Sequence, residues 1–154
     1  MKYELFKNFD LRLAYRYTDA KTTFDGSLLE APLVYKHRGL VNFAWLLEKA
    51  GWVFDATTQF YGPARIPNLD ANPEAIHLDD YSPAYLLLLG QITKKIKSID
   101  LYIGSENITN YTQHHPIIGY DDPFGPNFDA SIIYAPIMNR KFYAGLRYTL
   151  KDNK

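Results

Sequence analysis

The sequence predicts an all-β chain: about six long antiparallel, up-and-down strands forming an open, curved part of a transmembrane β-barrel. Three observations predict it. Apolar and polar side chains alternate with a period of two over many segments, as they do in strands with one greasy and one wet face. Connections between those segments alternate between short and long. The alternating stripes from Phe9 to Tyr17 and from Trp52 to Phe60 each cover roughly 20 Å along a tilted barrel axis, close to the height of a lipid-facing belt.

The first strand is expected near residues 9–18. Phe9, Leu11, Leu13, Tyr15 and Tyr17 form its apolar face, opposite Asp10, Arg12, Ala14, Arg16 and Thr18. Two arginines on the second face call for water beside it. Near 38–47, Val41, Phe43, Trp45 and Leu47 alternate with Asn42 and Ala44. Near 52–61, Trp52, Phe54, Ala56 and Phe60 lie opposite Asp55, Thr57 and Gln59. The strand expected near 83–94 is more apolar, with Leu86, Leu88 and Ile92 against Leu87, Leu89, Gln91 and Thr93. Its period also admits an amphipathic helix over Tyr85–Lys97, but Gly90 and the β-branched residues after it favour a strand. Near 98–107, Ile99, Leu101 and Ile103 oppose Asp100, Tyr102, Gly104 and Glu106. Near 140–150, Phe142, Ala144, Leu146, Tyr148 and Leu150 oppose Tyr143, Gly145, Arg147 and Thr149.

Short turns are expected at Glu48–Gly51 and around Lys94–Lys97, with long connections near 19–36, 61–81 and 108–139. In an up-and-down sheet this puts every short turn at one end and every long loop at the other. Long structureless loops are rare in compact soluble domains. Outer-membrane barrels combine short periplasmic turns with long extracellular loops. Closing a hairpin at Glu48–Gly51 sets Leu47 opposite Trp52, Trp45 opposite Phe54 and Phe43 opposite Ala56, which keeps the apolar face continuous.

Composition narrows the function. A formal net charge of zero argues against nucleic acid as a partner. With no cysteine, disulfide frameworks and thiolate zinc sites are excluded. No apolar run is long enough for a membrane-spanning helix, and the first residues lack the apolar stretch of a secretory signal. Six strands are too few to close a membrane barrel. An open sheet in lipid would leave two edges of unpaired backbone groups. The chain is therefore expected to be the C-terminal part of something longer, with Met1 an internal start or an edge.

No nucleophile–base pair, phosphate loop or carboxylate dyad is evident, so no enzymatic activity and no cofactor are expected. Ligand contact is expected from the long loops, at Arg65, His77, His114, His115, Tyr120, Asp121 and Asp122. His114-His115 near Asp121 and Asp122 lacks a third ligand at a convincing spacing, so no metal site is assigned. The loops are acidic (Asp70, Glu74, Asp79, Asp80, Asp121, Asp122, Asp129), a weak pointer to cationic ligands or to divalent bridging with lipopolysaccharide. Asn107-Ile108-Thr109 fits an N-glycosylation pattern, but an Asn capping a strand end is the preferred account. Asp122-Pro-Phe-Gly-Pro126 has the chemistry of an ordered turn.

Glu106-Asn-Ile-Thr-Asn-Tyr111 resembles the segment closing the penultimate strand of TonB-dependent outer-membrane receptors. Asp122–Pro126, Phe128–Ser131 and Arg140–Leu150 are similar to the last loop and last strand of Bacteroidota members, and His37-Arg-Gly-Leu40 to one of their strand starts. Lys151–Lys154 extends past the usual terminal strand, and the plug with its TonB-contacting box is absent. The resemblance implies a barrel of about 22 strands around a plug. It implies import of a scarce nutrient, such as a metal chelate, cobalamin or glycan, with energy delivered through TonB.

Asp10, Arg12, Arg16, Asp55, Gln59, Asp100, Tyr102, Glu106 and Arg147 then face the lumen or plug, or pair among themselves. Phe9, Leu11, Leu13, Tyr15, Tyr17, Trp45, Trp52, Phe54, Phe142, Leu146, Tyr148 and Leu150 face lipid. The implied partners are outer-membrane lipid and lipopolysaccharide, the plug and remaining strands, TonB through the plug, and the barrel assembly machinery. That machinery would read the stripe Phe142–Leu150 as a C-terminal signal. Arginine at Leu13 or Leu146 is expected to be costly in lipid, whereas glutamate at Arg16 or Arg147 is tolerated better. Two other architectures compete. One is a small self-contained barrel acting as adhesin, anchor or membrane enzyme, with extra strands at 28–36 and 131–137. The other is a soluble β-sandwich binding module.

Overall fold

The computed structural model describes residues 2–67 and 79–150. They form nine strands: β1 (Lys2–Phe6), β2 (Phe9–Tyr17), β3 (Lys21–Phe24), β4 (Ser27–Glu30), β5 (His37–Leu47), β6 (Trp52–Tyr61), β7 (Tyr85–Ile96), β8 (Ile99–Glu106) and β9 (Lys141–Tyr148). Seven of them make one antiparallel sheet in the order β1-β2-β5-β6-β7-β8-β9, open at β1 and β9. β3 and β4 form a separate hairpin.

All six expected strands are present, with corrected ends. β7 runs over 85–96 rather than 83–94, because its turn to β8 is only Lys97-Ser98, with Lys97 at φ 55°. β8 stops at Glu106, since Asn107 takes φ 50° and leaves the extended region. β9 ends at Tyr148 rather than 150; one further bond, Thr149 N–H to Ser98 O, extends the ladder, and Leu150 lies beyond the strand. β2 ends at 17, and β5 begins at His37, one residue earlier than expected. Two features were not expected: β1, joined to β2 through Lys7-Asn8, and the β3–β4 hairpin over Asp25-Gly26. Of the extra strands considered, 28–36 yields only β4, which does not join the large sheet, and 131–137 forms no strand. The helix considered over Tyr85–Lys97 is strand.

Short and long connections alternate along the sheet. Lys7-Asn8, 48–51 and Lys97-Ser98 lie at one end, the turn end; 18–36, 62–84 and 107–140 leave from the other, the loop end. At Gly51 the backbone is left-handed (φ 63°), and a Cβ there would stand 2.8 Å from the Lys95 carbonyl oxygen, so the tight turn requires glycine.

Register carries one apolar face across the sheet. Phe9, Trp45, Phe54, Ile92, Ile103 and Ala144 are successive cross-strand partners. Leu13, Val41, Thr58 and Leu88 form a parallel row toward the loop end. This face is bare: Leu13 is 43% exposed, Ile103 58% and Phe142 72%. Near the turn end Trp45, Trp52 and Phe54 pack together, and the Lys94 ammonium lies 4.7 Å from the Trp52 ring centre. Near the loop end the Tyr15 hydroxyl pairs with His37 Nδ1 at 2.7 Å, and Tyr17 packs on the same imidazole.

The opposite face is polar, with Asp10, Arg12, Arg16, Asn42, Asp55, Gln59, Gln91, Asp100, Glu106 and Arg147 at its register positions. On it the rings of Tyr143 and Tyr102 lie across the glycines opposite them, Gly104 and Gly145, and occupy the space of a Cβ.

Among the described residues, the buried apolar side chains are Ala64, Ile66, Tyr85, Ile118, Ile132 and Ala135. Tyr85 is the first residue of β7 and the others lie in loops. No strand interior contributes to this core. The sheet therefore has two open faces, and the packed centre sits among the connections at the loop end.

Candidate functional site

Three loops meet at that end, above the polar face. The rings of Tyr61, Tyr85 and Tyr111 stack in near-parallel steps of 4.8 and 4.7 Å, about the spacing of adjacent strands. Tyr35, from the first long loop, meets Tyr61 and Tyr85 edge-on. Its hydroxyl, that of Tyr85 and the Tyr134 carbonyl lie within hydrogen-bond reach of one another, so two hydroxyl protons serve three contacts. Burial pushes the Tyr35, Tyr111 and Tyr134 hydroxyls above the ordinary tyrosine pKa, so they stay neutral donors.

The third long loop is held by two amides. Asn107 donates to the carbonyls of Tyr111 (2.7 Å) and Met138 (3.3 Å), and accepts from Tyr111 N–H (3.0 Å) and the Thr109 hydroxyl (3.2 Å). The strand-capping role expected of Asn107 is what the structure has. Gln113, only 5% exposed, donates to Ile132 O (2.8 Å) and accepts from Tyr134 N–H (2.9 Å) and Ala135 N–H (3.2 Å). Segment 131–137 bonds to this side chain, to the Gln113 backbone N–H and to the tyrosine hydroxyls instead of to a neighbouring strand.

Glu30 and Arg65 tie the first loop to the second. Arg65 Nε donates to Glu30 O at 2.6 Å, and Leu33 N–H to Arg65 O at 2.8 Å. The Lys36 ammonium donates to Glu30 Oε1 at 2.6 Å, and the Tyr81 hydroxyl to Oε2 at 3.3 Å. That lysine bond lowers the Glu30 pKa and raises the Lys36 pKa. A depressed carboxyl stabilises above its ordinary range and is lost as pH falls through its folded value; a raised lysine stabilises below its ordinary range and is lost at higher pH. The tie is therefore expected to hold at neutral pH and loosen in acid. Cleavage within 18–36 by an acid-active protease should quicken as pH falls below the ordinary carboxylate range, and Glu30→Gln should remove the dependence.

The remaining loop residues stand apart. His114, His115, Tyr120, Asp121 and Asp122 are exposed. Asp122 closes two tight turns, its N–H to Gly119 O and its carbonyl to Gly125 N–H. His77, Asp70 and Glu74 lie outside the described residues. No group of three or more His, Asp or Glu among the described residues is placed to hold a metal ion.

Down the polar wall the side chains bond to one another. The Arg38 guanidinium lies 4.5 Å from the Tyr61 ring centre and donates to its hydroxyl, which donates to Gln59 Oε1 at 2.7 Å. Asn42 Nδ2 reaches Thr57 Oγ1 at 2.8 Å and both Asp55 oxygens. Tyr143 donates to Gln91 Oε1 at 3.2 Å. Below the return of the third loop, a cavity of about 320 Å³ is lined by Gln59, Leu87, Leu89, Glu106, Met138 and Lys141. These bonds hold the polar side chains of the wall to one another.

Arg38 and Asn42 were legible as polar-face residues by extending the alternation of β5 backward. Gln113 and the tyrosine stack leave no such mark. Their hydrogen-bond partners are 19–99 residues away in sequence. No family model, curated protein or solved structure matches the chain.

Proposed function

We propose that this chain is wall and rim of an outer-membrane β-barrel, the C-terminal part of a TonB-dependent receptor that imports a scarce nutrient. One observation carries the membrane reading. Among the described residues, no protein layer covers the large side chains exposed along one face of the sheet, and the buried core lies at the loop end. A soluble sandwich would cover that face with a second sheet. Hydrocarbon fits it, with Trp45, Trp52 and Lys94 toward one interface and Tyr15, Tyr17 and His37 toward the other.

In this reading water, or the plug, occupies the polar side. The edges β1 and β9 are paired by further strands of the whole barrel, because unpaired backbone in lipid is prohibitive. Lipopolysaccharide surrounds the loop end, and the assembly machinery reads β9. The choice of a nutrient receptor rests on the Glu106–Tyr111 and Arg140–Leu150 resemblance. A metal chelate, cobalamin or a glycan would meet the knitted loops first.

Since the chain lacks cysteine, single cysteines report position cleanly. Cysteine at Leu13 or Ile103 should react with a lipid-dissolved maleimide and resist a charged one in outer-membrane vesicles. Cysteine at Ala44 or Thr57 should show the reverse. Equal labelling of both sets by the charged reagent would end the membrane reading. Nutrient uptake that persists without TonB would instead point to a self-contained barrel.

A further inference from the structure

We infer that Arg16 and Arg38 form a binding site for an oxyanion group, phosphate or carboxylate, carried by a small diffusible solute. The two residues are direct cross-strand partners on the polar face, near the loop end. Like charges directly opposite in a sheet repel and cost stability. The β1–β2 ladder also holds like-charged partners, Lys2↔Arg12 and Glu4↔Asp10, but each stands at a register diagonal to an opposite charge. Between β2 and β9 the other pairs with two charged members are Lys95↔Asp100, Asp100↔Arg147 and Glu106↔Lys141, all of opposite sign. Neither arginine makes an ion pair with a described residue, and Arg16 has no hydrogen-bond partner among them.

The pair is also shaped for a ligand. Arg38 is fixed by its stack on Tyr61 and its bond to that hydroxyl. Gln59, whose oxygen accepts from Tyr61, lies beside the pair. Arg16, Arg38, Leu40 and Gln59 line a cavity of about 260 Å³. Guanidinium forks match the oxygens of phosphate and carboxylate two at a time. An anion here relieves the repulsion and gains several charge-assisted bonds. The inference rests on the polar face being a water-filled lumen, since a solute reaches the pair from that side. It names the class of cargo group the wall receives.

The probe is inorganic pyrophosphate, titrated by calorimetry into the detergent-purified protein at low salt. Saturable binding is expected, weakened about tenfold or more by Arg16→Gln or Arg38→Gln. Arg16→Lys keeps the charge but loses the fork, and should weaken binding less. Without pyrophosphate, Arg16→Gln should melt no lower than the unsubstituted protein, because repulsion is removed. Binding unchanged by both glutamine variants would overturn the site. So would no binding in the unsubstituted protein together with a lower melting point in Arg16→Gln, the signature of an acidic side chain of the same polypeptide already seated there. Cysteine labelling at Leu13 and Ile103 tests the lumen separately: lipid-specific labelling without pyrophosphate binding refutes the anion site alone.

Discussion

Arginine in place of Leu13 or Ile103 is expected to cost about 2–4 kcal/mol of folding stability in lipid vesicles, the penalty for a cation at mid-bilayer. Leu13 is the central residue of β2, four from either end, and Ile103 sits mid-way along β8. Both are well exposed on the apolar face, so the new charge meets the surrounding medium directly. Leu146→Arg should cost less. It lies two residues from the turn-end limit of β9, and the penalty falls toward about 0–1 kcal/mol near an interface. Ala44→Arg supplies the control. Its cross-strand partners are Asp10 and Asp55 on the polar face, so the change should stay within about 0.5 kcal/mol. Denaturant titration of vesicle-reconstituted protein ranks the three classes. If Ala44→Arg proved the most damaging, the two faces would have to be exchanged.

The faces were legible because the period of two is a property of extended backbone, and register preserves it from strand to strand. Trp45 and Phe54 could be set opposite each other from the Glu48–Gly51 turn alone, whereas Phe9 joins their row across a long loop whose length fixes no register. Strand ends were less legible, because side chains decide them. β8 stops where the Asn107 carboxamide captures Tyr111 and turns the chain. The β3–β4 hairpin did carry a local mark: Asp25-Gly26 is a two-residue turn sequence, and both residues take positive φ. β1 is short, and its mixture of charged and apolar residues hid its alternation. Most of the site was illegible. Arg65 was singled out as a ligand contact, yet its Nε is spent tying two loops together. The exposed histidines have no described neighbours that would define a site around them.

Gln113→Leu is expected to release the third long loop. Leucine matches the volume and replaces none of the three bonds. Its loss strands the Ile132 carbonyl and the Tyr134 and Ala135 amides where Ile132, 2% exposed, and Ala135 exclude water. Each orphaned buried group costs about 1–3 kcal/mol, and partial relaxation toward water limits the sum to about 3 kcal/mol. The loss should be local, because no strand of the large sheet depends on these bonds. Amide exchange should therefore quicken in 131–137, while β6, β7 and β8 keep their protection. Gln113→Glu discriminates size from bonding. Protonated it can still donate to Ile132 O and accept from Tyr134 and Ala135, whereas ionised it sets a buried charge against that carbonyl, so the loop should hold in acid and loosen as pH rises. The carbonyl of Tyr134 is also where Tyr35 and Tyr85 converge, which makes Gln113 the support beneath the tyrosine contact between loops. Unchanged exchange in 131–137 for Gln113→Leu would mean that the stack alone holds the loop.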